Sequence, residues 1–326
     1  MAEMIQTTYR EALKEAMREG MKRDNNVIIM GEEVGVWGGT YAVTRGLYDE
    51  FGGKRVIDTP IAEMGIVGVA TGAAMGGLKP IAELMTINFA LIAIDQIVNN
   101  TAKIHSMFGG TMRAPVVIRT AAGWGQLAAT HSQSFEAWFA HVPGLIVVMP
   151  ATPYDAKGLL TTALYSQNPV IFIEHSRLYG EKGMVPEGEF TVPFGTAEVK
   201  RKGKDLTIIT YSRMVHVALA AAEQLTGQGV EVEVVDLRSL RPIDWDTVYA
   251  SVRKTHRAIV LTEDWMSFGV SAEVAARISR DMFDYLDAPV ERLTQEEVPL
   301  PYAPNLEQLS FPDEARVIEK VKEMLA

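Results

Sequence analysis

One glutamate in this sequence stands directly before a long stretch without charge, an unusual place for a carboxyl group. The stretch runs from Met64 to Leu78, and Glu63 precedes it. Thr59 and Pro60 predict the start of a helix, because a capping hydroxyl followed by proline is typical of a first turn. A helix that is apolar on every side is buried, and a buried carboxyl group needs a partner or keeps its proton. Glu63 is therefore a candidate proton donor or acceptor, with a helix-cap carboxylate favoured by the helix dipole as the alternative.

A histidine in a polar loop is the second candidate for proton chemistry. His131 lies in the loop Ala-Ala-Thr-His-Ser-Gln-Ser at 128–134, which leads into a helical segment with Phe135 and Trp138. Imidazole gains and loses protons near neutral pH, so His131 could transfer a proton. The alternative is a surface histidine at a helix entry. The metal-binding spacing H-E-x-x-H is absent, which disfavours a zinc site.

Composition sets the limits on what the chain can be. It has 326 residues, which is enough for two domains. Hydrophobic residues make up 48% of the chain and charged residues 22%, a composition typical of a globular protein with a large core. A formal net charge of −10 argues against a nucleic-acid partner, and the lack of cysteine excludes disulfides and thiolate sites. Acidic residues among the first positions argue against a signal peptide, and no uncharged stretch is suited to a membrane span. We expect a cytoplasmic protein, or one in an organelle lumen after processing.

Short β-branched runs alternate with helix-length segments, the pattern of a parallel sheet covered by helices on both faces. The predicted strands of the first half are Val27–Met30, Arg55–Ile57, Pro80–Met85, Pro115–Arg119, Leu145–Met149 and Pro169–Glu174. The predicted helices between them include 63–78, 89–108 and 153–166. After a polar stretch the alternation restarts at 206–211, which implies a second core. We therefore predict an α/β fold with two doubly wound domains, the first at 1–185 and a smaller one at 186–326.

The phosphate-binding motifs of dinucleotide and nucleotide enzymes are missing. Neither G-x-G-x-x-G between a strand and a helix nor G-x-x-x-x-G-K-[ST] occurs. Ligands in doubly wound folds bind at the carboxyl ends of strands. Glu32, Glu33, Glu63 and the loops at 86–89 and 124–131 all follow predicted strands, so these positions are candidates for a cleft.

Four segments together resemble one protein family. They are MGEEVG at 30–35, DTPIAEMG at 58–65, AATHSQS at 128–134 and PYDAKGLL at 153–160. The chain is similar to the β subunit of the thiamine-diphosphate-dependent decarboxylating component of 2-oxo-acid dehydrogenase complexes, most of all the pyruvate type. The similarity extends from about Thr7 to the C-terminal region, with DLRSLRP at 236–242 marking the second domain. It implies a transketolase-like pyrimidine-binding domain followed by a transketolase-like C-terminal domain.

The resemblance also implies roles for the candidate residues. Glu63 matches the glutamate that hydrogen-bonds the aminopyrimidine ring of thiamine diphosphate. His131 matches the histidine that faces the reaction intermediate and the incoming lipoyl arm. Phe89 matches an aromatic residue that packs on the aminopyrimidine, and Glu32 and Glu33 match an acidic network near the cofactor. A core phenylalanine and solvated loop carboxylates are the alternatives at these three positions.

Metal ions and partner chains follow from the same resemblance. Family members often bind a structural potassium ion through backbone carbonyl groups, and the matching positions are Val116, Ala163, Leu164, Ser166 and Asn168. Ser166 stands where an aspartate is usual, a change that a backbone ligand tolerates. The Gly-Asp-Gly motif used for magnesium and diphosphate is absent. The resemblance thus implies a separate α chain that binds magnesium in a two-α, two-β heterotetramer, and a dihydrolipoyl acyltransferase core with its lipoyl domain as acceptor.

Three alternative functions remain open at this level. Ile92 and Trp124 depart from the pyruvate-type pattern, so a branched-chain 2-oxo acid or acetoin could replace pyruvate as substrate. A non-catalytic scaffold subunit belongs to a different class, and the presence of Glu63 and His131 speaks against it. A nicotinamide oxidoreductase is disfavoured by the missing dinucleotide motif.

Overall fold

The computed structural model describes residues 3–326, which form two compact units. The first unit comprises the chain up to Gly123 together with Trp138–Phe194, and the second comprises Trp124–Ala137 together with Gly195–Ala326. The segment 124–137 is therefore part of the second unit, although it interrupts the first unit in the sequence. The boundary expected between residues 185 and 186 stays a prediction.

Helices and strands alternate through both units. The α-helices of the described residues are α1 (Tyr9–Arg23), α2 (Leu47–Phe51), α3 (Glu63–Met75), α4 (Ile104–Met107), α5 (Glu136–His141), α6 (Pro153–Tyr165), α7 (Met214–Thr226), α8 (Trp245–Thr255), α9 (Val270–Asp281), α10 (Pro304–Leu309) and α11 (Glu314–Leu325). The strands are β1 (Met4–Thr8), β2 (Val27–Gly31), β3 (Val56–Asp58), β4 (Lys79–Leu84), β5 (Val117–Ala122), β6 (Ile146–Val148), β7 (Val170–His175), β8 (Lys182–Pro186), β9 (Glu198–Arg201), β10 (Leu206–Thr210), β11 (Val232–Asp236), β12 (Ser239–Arg241), β13 (Ala258–Trp265) and β14 (Glu291–Gln295). Among these helices none is long and apolar enough to cross a membrane.

The first unit is built on a parallel sheet. Its strands lie in the order β6-β7-β5-β4-β2-β3, and each of these strands is parallel to its neighbours. Strands β1 and β8 form a separate antiparallel pair. The buried strands are rich in Val and Ile, as expected for a sheet covered on both faces. Non-consecutive neighbours such as β2 and β4 require crossovers, so the predicted doubly wound α/β architecture is confirmed.

The second unit repeats this architecture on a smaller scale. Its five strands lie in the order β14-β13-β10-β11-β9, with only β9 antiparallel to its neighbour among the pairs described. Helices α7 and α11 cover the sheet and share a core with it that includes Leu206, Ile208, Val234, Ile259 and Val317. The second core that the restart of the strand-helix alternation predicts is therefore observed.

Helix α1 shows how the sequence encodes the packing of the first unit. The Thr8 hydroxyl accepts a hydrogen bond from the Glu11 amide (3.2 Å) and so caps the helix. Tyr9, Leu13 and Met17 recur at helical spacing and are buried. They place one face of α1 against α6, where Glu19 of α1 also accepts a hydrogen bond from the buried Lys157 of α6 (2.9 Å).

The prediction of one continuous helix at 89–108 is wrong, because the segment is helical only in short, irregular pieces. The segment consists of a 3₁₀ turn at Ile87–Leu91, a π-helical turn at Gln96–Thr101 and the short helix α4. The Thr101 hydroxyl donates to the Gln96 carbonyl (2.8 Å), and the Asn100 side-chain amide donates from Nδ2 to the Asp95 carbonyl (3.3 Å). Side chains that take backbone carbonyls in this way compete with regular helical hydrogen bonds, which explains the interruption.

Candidate active site

Helix α3 begins at Glu63, so the start predicted at Thr59 and Pro60 is wrong. The Thr59 amide donates to the Gly31 carbonyl (2.9 Å), which keeps the chain extended beside strand β2 and delays the helix. Glu63 consequently occupies the first helical position, where the helix dipole favours a negative charge. The residue is only 3% exposed. Within residues 3–326 its carboxyl group has no hydrogen-bond partner.

The rest of α3 is buried on one face only, so the expectation of a helix buried on every side is wrong for this chain alone. The face that carries Glu63 is packed inside the unit through Ile66, Val67, Ala70, Thr71 and Ala74. The opposite face exposes Met64 and Val69, which are 55% and 60% exposed, together with three glycines of the helix. An exposed face without charge is typical of a surface that another chain covers.

The loop after strand β2 brings a second carboxyl group into this region. Glu32 is buried, and its Oε1 has no hydrogen-bond partner among the described residues. Glu33, by contrast, is exposed and adopts a φ of 54°. The Gly35 amide donates to Asp58 Oδ1 (2.6 Å), which ties this loop to the segment that leads into α3.

Electrostatics link Glu32 to Glu63. Burial raises the pKa of Glu32, and the negative charges of Glu63, Glu33 and Glu83 raise it further. Glu32 therefore holds its proton to a higher pH than an exposed glutamate does. Glu32 and Glu63 are both buried, and the raised pKa of Glu32 favours its protonated form. Such a pair of carboxyl groups is suited to proton exchange with a ligand.

Phe89 lies just after strand β4, in the 3₁₀ turn at 87–91. The Phe89 amide donates to the Thr86 carbonyl (3.0 Å), and the Asn88 side-chain amide donates to Thr86 Oγ1 (2.7 Å). The Thr86 hydroxyl in turn donates to the Ala121 carbonyl of β5 (3.2 Å). These bonds fix the turn at the carboxyl ends of two adjacent strands, and they leave Phe89 half-buried.

A buried ion cluster lies on the same sheet, and the sequence reasoning missed it. Arg119 on β5 donates from Nη2 to Glu83 Oε2 on β4 (2.6 Å), and its Nε lies 3.2 Å from Glu174 Oε1 on β7. The Tyr179 hydroxyl donates to Glu174 Oε2 (2.6 Å). Burial raises the pKa of Glu83, and it raises the pKa of Glu174 to about 7 although Arg119 opposes the shift. The available signal was a charged residue inside each of three predicted strands.

His131 belongs to the second unit, whereas Glu32, Glu33, Glu63 and Phe89 belong to the first. Its side chain is exposed, and Nδ1 lies 3.0 Å from the Thr130 hydroxyl oxygen. The His131 amide donates to the carbonyl of Ala128 (3.4 Å), which closes a turn. An exposed imidazole on a turn can meet a group that arrives from solvent.

The five positions expected to hold potassium lie near the C-terminus of α6 and the starts of β5 and β7. The carbonyl groups of Val116, Ala163 and Asn168 each accept one hydrogen bond, from Val170 N, Ser166 N and Ser166 Oγ at 2.9, 3.1 and 2.8 Å. A carbonyl oxygen has two lone pairs, so each can accept a further contact. No group of three or more His, Cys, Asp or Glu side chains in the described part of the chain could hold a metal ion.

Comparison with known proteins places both units in recognised families. Residues 5–182 match the family described as transketolase, pyrimidine binding domain, and residues 195–317 match transketolase, C-terminal domain. The pyruvate dehydrogenase E1 component subunit beta of Rickettsia felis is 49% identical over 321 residues, covering 98% of each chain. The chain belongs to the transketolase-like family of pyruvate dehydrogenase E1 beta subunits. The family expected from the four sequence segments is thus confirmed.

Other members of the family are also similar over nearly all of this chain. The corresponding subunit of Rhizobium meliloti is 49% identical over 98% of this chain and 70% of the relative. The mitochondrial subunit of Caenorhabditis elegans is 46% identical over 98% of this chain and 92% of the relative. Among solved structures, a split gene transketolase described as an inactive beta4 tetramer has a TM-score of 0.78 at 23% identity, with 97% of both chains covered. That similarity shows the fold.

Proposed function

We propose that this chain is the catalytic β subunit of an acetyl-transferring pyruvate dehydrogenase. The reaction is the oxidative decarboxylation of pyruvate with thiamine diphosphate, coupled to reductive acetylation of the lipoyl group of a dihydrolipoyl acyltransferase, whose disulfide accepts the two electrons. The observation that carries the proposal is Glu63, a buried carboxyl group at the start of α3 without a hydrogen-bond partner among the described residues. A structural glutamate would be paired, whereas a ligand-binding one is left for its ligand.

Glu63 fits the role of partner to the aminopyrimidine of thiamine diphosphate. A carboxyl group in a low-dielectric place forms a strong hydrogen bond with a ring nitrogen and fixes the orientation of the ring. When bound, the cofactor supplies a carbon nucleophile and an electron sink for the decarboxylation. Glu63 holds or moves the proton at the ring nitrogen. We assign proton exchange with that group to Glu32, whose pKa is raised by burial and then by the charge of Glu63.

Phe89 and His131 complete the roles proposed for this chain. The half-buried ring of Phe89 offers an apolar surface for packing against the aminopyrimidine. The exposed imidazole of His131 is assigned to proton transfer when the lipoyl group accepts the acetyl group. Glu33 is kept in the acidic network near the cofactor, although its side chain is exposed.

A second chain is part of the proposal. We infer that an α subunit binds the diphosphate and its magnesium ion and forms a two-α, two-β heterotetramer with this chain. The lack of a Gly-Asp-Gly motif and the uncharged exposed face of α3 both support a partner. Alone, this chain should then show no decarboxylation that depends on thiamine diphosphate, and robust activity of the lone chain would contradict the inference. A cytoplasmic location and a structural potassium ion at the five backbone positions belong to the same proposal.

The decisive experiment replaces Glu63 in the reconstituted heterotetramer. Glu63→Gln keeps the size of the side chain and removes its acidity, so we expect pyruvate turnover to fall about 100-fold or more. Glu181→Gln makes the same change at an exposed position and serves as the matched control. Tetramer mass and thermal stability should be unchanged in both variants. If Glu63→Gln turned over pyruvate like the control, a non-catalytic scaffold would be the better description of this chain.

The substrate preference needs a separate measurement on the same tetramer. Steady-state rates on pyruvate, branched-chain 2-oxo acids and acetoin should favour pyruvate in kcat/KM. A pocket distinguishes a single methylene by only about 1–3 kcal/mol, or about 10- to 200-fold. A higher kcat/KM on a branched-chain acid or acetoin would move the chain to that specificity without changing the proposed chemistry.

A further inference from the structure

An unusual tryptophan marks the point where the chain leaves the first unit and enters the segment 124–137. Trp124 is buried, and its Nε1 donates to Glu263 Oε1 (2.9 Å). Its ring stacks on Phe311 with centroids 4.6 Å apart and an angle of 13° between the planes. Arg213 lies over the same ring (5.0 Å) and also donates to Glu263 Oε1 (2.9 Å). Trp124 is thus held by a stacked ring, a cation and a carboxylate of its own unit.

One buried glutamate binds the next two residues of the segment. Glu307 on α10 is 2% exposed. Its Oε1 accepts hydrogen bonds from the backbone amides of Gly125 (3.1 Å) and Gln126 (2.8 Å). Hydrogen bonds from backbone amides to a carboxylate are about twice as strong as neutral ones. The carboxylate therefore fixes the backbone just ahead of the turn that carries His131.

The conformation that these contacts hold is a strained one. Gln126 and Ala128 adopt φ angles of 58° and 62°, in the left-handed region that side chains with a Cβ disfavour. A strained backbone conformation persists only where several contacts with the surrounding structure hold it in place. Here the surrounding structure consists of Glu307 and the cluster around Trp124. At the far end of the segment the Tyr211 hydroxyl donates to Glu136 Oε1 (3.0 Å), which gives a second attachment.

We propose that Glu307 and Trp124 are positioning residues that hold the segment 124–131 in the shape that presents His131 to the lipoyl group. The C-terminal domain thereby takes part in acetyl transfer through the backbone of this segment. This inference rests on the proposed function, since it assumes the role given to His131. Both residues act through amides and ring packing, so they affect the transfer step and not the binding of the cofactor to Glu63.

The first test measures whether Glu307 holds the backbone, independently of activity. Hydrogen exchange of the amides at 124–131 is compared in the heterotetramer with Glu307→Ala, Glu307→Gln and Gln308→Ala. Glu307→Ala removes the acceptor, so exchange should accelerate about tenfold or more. Glu307→Gln retains a side-chain oxygen and should stay within about threefold of the unchanged chain. Gln308 is exposed on the same helix and serves as the control, with no change expected.

The second test separates the two half-reactions. Reductive acetylation of a free lipoyl domain should fall about tenfold or more in Glu307→Ala, because the segment loses both charge-assisted hydrogen bonds to this carboxylate. Decarboxylation coupled to an artificial electron acceptor, and the affinity for thiamine diphosphate, should stay within about twofold. Trp124→Phe keeps the stacking but removes the indole N–H, and it should show an intermediate loss of lipoyl acetylation, so the proposal remains testable if Glu307→Ala fails to assemble.

Results that contradict the positioning role can be told apart from a result that contradicts the proposed function. Unchanged amide exchange in Glu307→Ala, or faster exchange with lipoyl acetylation intact, would overturn the positioning role. An equal loss in both half-reactions would overturn it as well, because it would indicate general damage. If the unchanged tetramer did not decarboxylate pyruvate at all, the proposed function would fail, while the exchange measurement would still report whether Glu307 holds the segment.

Discussion

Replacing Arg119 with methionine gives a quantitative test of the buried ion cluster. Arg119 is 3% exposed and is the cation that faces the carboxylates of Glu83 and Glu174 at 2.6 and 3.2 Å. Methionine fills a similar volume but leaves two buried carboxyl groups without a counter-charge. Removal of one partner from a buried ion pair typically costs about 3–5 kcal/mol. For a unit of this size the loss corresponds to a melting temperature lower by about 6–20 °C.

The loss should depend on pH in a defined direction. Burial raises the pKa of Glu174 to about 7, above its value in the unfolded chain. A carboxyl group of this kind contributes stability below its unfolded pKa, and that stability is lost as the pH rises through about 7. Without Arg119 the pKa values of Glu174 and Glu83 rise further, because the charge that opposes the shift is gone. Arg119→Met should therefore be much less harmful at pH 5.5 than at pH 8.

Thermal unfolding at pH 5.5, 7 and 8 measures this effect. Arg113→Met makes the same change at an exposed position and should leave the melting temperature nearly unchanged. Adding Glu174→Gln to Arg119→Met removes one of the stranded charges and should restore part of the stability at pH 8. A loss of equal size at all three pH values, or one no larger than that of Arg113→Met, would refute the assignment of an ion pair that stabilises the sheet.

Two further predictions concern titration and metal binding. Burial, and then the charge of Asp264, raises the pKa of Glu136 to about 8, so the stability of the second unit should fall as the pH rises from about 4.5 to 8. The glutamine of Glu136→Gln cannot ionise, so the variant should have a higher melting temperature than the unchanged protein at pH 8.5 and the same one at pH 5. If the variant and the unchanged protein melted at the same temperature at both pH values, the raised pKa would be contradicted. If the five backbone positions bind potassium, exchange of sodium for potassium at constant ionic strength should raise the melting temperature by about 3 °C or more. Equal melting temperatures in the two salts would argue against the site.

Local sequence patterns predict the strands well and the helix starts less well. The strand predicted at Val27–Met30 is observed at Val27–Gly31, because a short β-branched run has few alternatives inside a parallel sheet. Thr152-Pro153 does start helix α6, and the Thr152 hydroxyl accepts from the Asp155 amide (3.1 Å). The same dipeptide at Thr59 does not start α3, since its amide is bound to strand β2. A dipeptide cannot report such a contact, which depends on a distant strand.

The site shows the same division between local and distant information. Glu63, Glu32 and Phe89 were identified from the sequence because each follows a predicted strand, and one of them opens an uncharged stretch. The attachment of the segment 124–137 to Glu307 was not, because the two are joined across about 180 residues and neither has a local signature. The charged residues that form the cluster around Arg119 can be recognised inside the predicted strands, but no local pattern indicates which of them pair.

Four buried carboxyl groups of the first unit form two pairs with different surroundings. Glu83 and Glu174 face Arg119, so removing the cation destabilises the fold. Oε1 of Glu32 has no hydrogen-bond partner within residues 3–326, and Glu63 is only 3% exposed. In the proposed function both carboxyl groups gain their partner when the ligand binds. Loss of charge should therefore have opposite signatures: Arg119→Met lowers stability, whereas Glu63→Gln spares stability and removes activity. The ligand-binding role proposed for Glu63 explains why a carboxyl group without a hydrogen-bond partner stands where burial is costly.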